Sequence, residues 1–236
     1  MFDAQTAKKE LINKKHFDFD DLCTLVSVLR SPHGCPWDRE QTNKSIRNAF
    51  IDETYEFIEG LDLNDNDLMC EELGDVLFQI IFHADIKEDE DVFKISDVID
   101  GICKKMILRH PHVFGDVNVK DSGEVLVNWE NIKNDEKHRK TPYEQLDSIS
   151  KSLPSLMRAQ KLQKKADKTE LCKLKSTTEF ICSLRNILDE IQADGADNNN
   201  IGRLLFQCAG LCQSFDVEGE EALSIENDNF LNEFKE

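Results

Sequence analysis

Apolar residues in this chain return every three or four positions and rarely every second one. Ile46, Phe50, Phe57, Ile58 and Leu61 form one row; Met69, Leu73, Val76, Leu77, Ile80, Ile81 and Ala84 form another; Val98, Ile99, Ile102, Met106 and Ile107 form a third. A helix turns once in about 3.6 residues and so collects such rows on one face, whereas a strand alternates. Only 10 Gly and 5 Pro occur in 236 residues, too few to punctuate many short strands. The expected class is all-α. Helices are expected over roughly 20–30, 43–61, 67–87, 96–110 and 122–139, the fourth starting at Ser96 and Asp97 and stopping before Pro111.

One helical frame is written twice. Residues 70–79 read CEELGDVLFQ, and residues 198–207 read NNNIGRLLFQ. The apolar positions agree, but Glu71, Glu72 and Asp75 become Asn199, Asn200 and Arg203. A polar stretch, KNDEKHRKTPYEQLDSISKS, separates the two halves. Two tandem helical domains are therefore expected, at 1–145 and 150–236, the second having kept its packing face and shed its acids.

In the first half, Glu53 and Glu56 lie three residues apart, as do Glu72 and Asp75. That spacing is nearly one turn, about 4.5 Å along the axis, so each pair leaves one face of its helix. The short connection LDLNDND lets the two helices fold antiparallel and the four acids converge. Two ordinary acidic helix faces would carry the same letters. No Lys or Arg four residues away neutralises Glu72 or Asp75. Two carboxylates about 5 Å apart repel by about 3 kcal/mol at an effective dielectric of 20, and a hard cation such as magnesium would relieve this. The Glu-x-x-His pattern of di-iron bundles is absent.

Cations suited to a polyphosphate also recur at helical spacing. Lys105 and Arg109 are four apart, and Lys133 follows Trp129 by four. The indole could stack on a base or pack in a core. The segment SPHGCPWDREQT is expected to pack as structure, with Trp37 able to touch a base. His33, His83, His110 and His112 are expected to pack or cap.

The formal net charge of -18, with 47 acids against 29 bases, argues against nonspecific nucleic-acid binding, which needs a basic surface. The eight cysteines form no C-x-x-C pair, so a zinc site is not expected. The start, MFDAQTAKKE, is polar, and no long apolar span follows. A cytoplasmic protein with reduced thiols and no membrane association is expected.

The stretches LRSPHGCPWDREQT, DETYEF, EELGDVLFQ, RHPHVFGDV and NWENIK, over residues about 22–133, together resemble the MazG-type nucleoside triphosphate pyrophosphohydrolases. LPSLMRAQKLQKKA resembles the segment leading into a second MazG-like domain. The resemblance implies all-α bundles, an obligate homodimer, and magnesium-dependent hydrolysis of a nucleoside triphosphate to monophosphate and pyrophosphate. Carried over from the family's ligand pattern, the metal ligands would be Glu53, Glu56, Glu72 and Asp75, with Glu53 or Glu56 also acting on the attacking water. Lys105, Arg109, Trp129 and Lys133 would contact the nucleotide. Asp52 stands where the family usually has Glu. Aligning SLRNILDEIQ with the first acidic helix places Ile187 at the Glu53 position and Glu190 at the Glu56 position. In two-domain relatives the C-terminal copy can be the active one; here the acids are intact in the first copy. A non-catalytic nucleotide sensor or partner-binding protein is the alternative from another class. An unrelated helical scaffold would leave the five ordered stretches unexplained.

Overall fold

A computed structural model of the protein describes residues 3–235. Every regular element among them is a helix, and the chain divides into two compact units between Asp116 and Val117. The expected division near residues 145–150 lies farther along. Helix 122–136, with Trp129 and Lys133, belongs to the second unit, where Lys165 hydrogen-bonds Glu130.

The first unit contains α1 (Ala4–Asn13), α2 (Phe19–Arg30), α3 (Pro36–Glu40), α4 (Arg47–Asp62), α5 (Asn66–Asp89), α6 (Ile95–Arg109) and α7 (Pro111–Phe114). The expected helix from residue 43 starts at Arg47, because Thr42 and Ser45 close a turn through reciprocal side-chain hydrogen bonds. Asp65 starts α5 by accepting from the backbone N–H groups of Asp67 and Leu68, satisfying donors that the first turn leaves open. The α4–α5 hairpin turns at Asn64, with φ 54°, a left-handed conformation that Asn tolerates. Gly60 lets the helices close up: a Cβ there would lie 3.1 Å from Met69 Cγ.

The core of this unit is Val26, Ile46, Ile81, Phe82 and Ile86, flanked by Leu22, Cys23, Leu77, Phe78 and Ile95. Each fully buried aliphatic or Phe side chain contributes roughly 1.5–3 kcal/mol relative to exposure. Arg30 fastens α2 to α5, with its Nε 2.7 Å from Asp85 Oδ2 and its guanidinium 5.3 Å from the Phe82 ring centre. The 31–42 segment is built as expected in one respect and not in another. Gly34 is required, since a Cβ would lie 2.1 Å from the Leu29 carbonyl oxygen, but Trp37 is 62% exposed.

The second unit contains α8 (Ser122–Glu136), α9 (Pro142–Asp147), α10 (Ser155–Lys168), α11 (Thr177–Asp194), α12 (Asn198–Ser214) and α13 (Gly219–Asn232). Capping boxes start α11, through Ser176 and Glu179, and α12, through Asp197 and Asn200. Gln163 and Gln160 of α10 bind the backbone of Phe206 and Val217. Phe180 is buried against Gly210, where an added Cβ would fall 2.4 Å from Cε1 of its ring.

Candidate functional site

The α4–α5 hairpin brings three of the four predicted carboxylates together. One oxygen each from Glu53, Glu56 and Glu72 lies within 4.8 Å of the others. Their burial is graded: Glu56 is exposed, Glu53 half-buried and Glu72 5% exposed. Asp75 is exposed and outside this trio, but its charge acts on both Glu53 and Glu72.

The electrostatics are those of an uncompensated cluster. Burial raises the proton affinity of Glu53 above the ordinary value, and the negative charges of Asp75, Glu56 and Asp52 raise it further. Burial likewise raises that of Glu72, followed by repulsion from Glu56, Asp75, Glu53 and Glu71. Glu72 Oε2 is buried without a hydrogen-bond partner, an arrangement that costs free energy unless something satisfies the oxygen. Converging carboxylates of which one is orphaned fit a hard divalent cation, whose preferred ligands are carboxylate oxygens and water.

Lys105 and Arg109 lie on one side of α6, Lys105 half-buried and Arg109 5% exposed. On α8, Lys133 Nζ sits 4.8 Å from the Trp129 ring centre and 3.9 Å from Glu130 Oε2. The indole is thus engaged by a cation rather than enclosed in a core. His83 and His110 have structural surroundings. Asn43 Nδ2 lies 2.8 Å from His83 Nδ1, and His110 Nδ1 lies 2.7 Å from the Met106 carbonyl oxygen.

Sequence reading missed Gln79. It is 9% exposed, and its Oε1 has no partner. It lies two turns beyond Glu72 on the same side of α5, so the seven-residue spacing was the available signal.

Residues 41–114 match the MazG nucleotide pyrophosphohydrolase domain family. The chain is 37% identical over 229 residues to a nucleoside triphosphate pyrophosphohydrolase of Escherichia coli, covering 92% of this chain and 86% of that protein. The chain belongs to the MazG family. It is also 36% identical over 219 residues to the nucleoside triphosphate pyrophosphohydrolase/pyrophosphatase MazG of Thermotoga maritima, covering 92% and 84%. It is 41% identical over 225 residues to the Bacillus subtilis protein YabN, covering 93% of this chain but only 46% of that protein. The MazG match takes in all four acids, Lys105 and Arg109, and ends before Trp129 and Lys133.

The α11–α12 hairpin, which the sequence expectation aligns with α4–α5, is built differently. Ile187, aligned with Glu53, is 3% exposed within the apolar core. Asn200, aligned with Glu72, is used in capping: its Oδ1 accepts from Asp197 N–H, and its Nδ2 donates to the Gly195 carbonyl. Arg203, aligned with Asp75, forms an ion pair with Glu190 at 2.7 Å.

Proposed function

We propose that the chain hydrolyses a nucleoside triphosphate to the monophosphate and pyrophosphate, using the first unit as its catalytic copy. The observation that carries this reading is the convergence of Glu53, Glu56 and Glu72 around a buried, unpartnered carboxylate oxygen, in a chain of the MazG family. Glu53, Glu56, Glu72 and Asp75 would hold magnesium. When bound, such an ion supplies charge neutralisation at phosphate oxygens. Glu53, with its raised proton affinity, is suited to orient the attacking water and accept its proton; Glu56 is the neighbouring candidate. Lys105 and Arg109 would hold the phosphates as positioned cations.

Residues 150–236 are proposed as a degenerate MazG-like domain, with Arg203 balancing Glu190 where the first unit has an acid cluster. A non-catalytic nucleotide-sensing or partner-binding protein is the alternative reading of the chain. Homodimerisation is proposed because Leu73, Ile99 and Ile102 are exposed on α5 and α6 of the first unit. Among the described residues no helix is long and apolar enough to cross a membrane, and all eight cysteines are free. Together with the net charge of -18, these features support a cytoplasmic protein that does not bind nucleic acid.

The test is product identification with a panel of triphosphates in oxygen-18 water. Equal amounts of monophosphate and pyrophosphate are expected, with the label in the monophosphate. Release of free phosphate and a nucleoside diphosphate would contradict attack at the α-phosphorus.

A further inference from the structure

In this acidic protein the second unit gathers lysines around a cavity. Lys161, Lys164, Lys165 and Lys168 fall at i, i+3, i+4 and i+7 of α10, the spacing of one helix face. With Lys133, Arg139 and Glu130 they line a cavity of about 330 Å³, which Gln145, Ser148 and Ser150 also border. Six cations thus face one carboxylate, and Glu130 is already bound by Lys165. Among the described residues, Lys161, Lys164 and Lys168 have no ion-pair partner within 4 Å, and neither does Arg139, which is half-buried.

Like charges four apart on a helix repel, as Lys161 does Lys165 and Lys164 does Lys168. Basic residues near a helix C-terminus favour the helix dipole, which accounts for Lys165 and Lys168 but not for Lys161, two turns earlier. The row runs about 10 Å along the axis from Lys161 to Lys168, longer than a single phosphate. The cavity volume is at the small end of the ~300–1,000 Å³ range of small-molecule sites. Linked phosphates match both the length and the charge; the serine hydroxyls and Gln145 add neutral donors.

We propose that this lysine-lined cavity of the second unit is a polyphosphate-binding site, taking pyrophosphate or the phosphate chain of a nucleoside polyphosphate. It needs no metal, because its own cations neutralise the ligand. The proposal does not depend on catalysis by the first unit.

The test is titration calorimetry on the full chain in EDTA, where carboxylate-held metal cannot contribute, with pyrophosphate, a non-hydrolysable nucleoside triphosphate and sulfate as separate ligands. Wild type and Glu72→Gln are expected to bind pyrophosphate or the nucleotide at least tenfold more tightly than sulfate. The double variant Lys161→Ala, Lys164→Ala is expected to lose at least tenfold in affinity while its magnesium-dependent turnover stays within twofold of wild type. Which of the two phosphate ligands binds more tightly identifies the source of the phosphate chain. Wild-type binding no tighter than sulfate would overturn the proposal, as would affinity unchanged in the lysine variant. Preferential binding of a single-stranded oligonucleotide through these lysines would also overturn it. A circular-dichroism melt of the variant separates loss of the site from loss of the fold.

Discussion

Arg203 and Glu190 face one another across the α11–α12 hairpin, with Nη1 2.7 Å from Oε2 and Nη2 3.3 Å from Oε1. The Arg203 hydrogen bond and charge hold the Glu190 carboxyl below its ordinary value, opposite in sign to the shift at Glu53 and Glu72 in the first unit. Arg203→Ala should therefore leave magnesium-dependent turnover unchanged. Steady-state kinetics check this, and a large loss would move the catalytic centre to the second unit.

Glu72→Gln and Asp75→Asn each remove a charge with almost no change in volume. Turnover should fall by about a hundredfold or more in both, since even groups that only support metal ligands typically cost 10–100-fold. Far-ultraviolet circular dichroism should remain that of wild type. Near-wild-type kinetics in both variants would return these acids to an ordinary solvated face.

The raised proton affinities of Glu53 and Glu72 give a pH signature. Their contribution to stability is fully present below the unfolded value, near 4.5, and is lost as pH rises through the higher folded values. Without divalent ions, the first unit of wild type should therefore lose melting temperature relative to Glu72→Gln as pH rises from 4 to 7. Magnesium should reverse the difference at the upper end, by about 2.7 kcal/mol at a hundred times its dissociation constant. Scanning calorimetry at matched ionic strength measures both; a pH-independent difference and no response to magnesium would count against a metal site.

Two glycines of α12 should respond in opposite directions. Gly210→Ala puts a Cβ 2.4 Å from the Phe180 ring and 2.2 Å from Gln163 Oε1, and should cost about 1–3 kcal/mol through overpacking. At Gly202 an added Cβ meets nothing within 4 Å, so Gly202→Ala should gain up to about 1 kcal/mol in helix propensity. Urea denaturation of the two variants gives the comparison. Equal effects would contradict the close α10–α11–α12 packing.

Much of the first unit was legible because its signals are local. The helical period of Met69 to Ala84 and the three-residue spacing within each acid pair follow from backbone geometry alone. The short connection LDLNDND then makes the α4–α5 hairpin readable. Less legible was the start of α4, where the Thr42–Ser45 turn replaces a helical pattern. Exposed Trp37 escaped the same reading, because composition does not say which side of a tight loop faces water.

The sequence by itself determined an all-α chain with one acid-bearing hairpin, since those properties depend on residue type and spacing along a helix. Only tertiary structure decided that Glu72 is buried and orphaned while Asp75 is exposed. The two are on one helix, three residues apart, so their difference comes from how α5 is rotated against α4 and α2. Tertiary structure also assigned α8 to the second unit, through contacts such as that between Glu130 and Lys165, 35 residues apart. It likewise set the lysine row of α10 beside Arg139 and Ser148 around one cavity. Burial and long-range pairing depend on which surfaces exclude water together, and helical periodicity specifies a face without specifying the surface that will cover it.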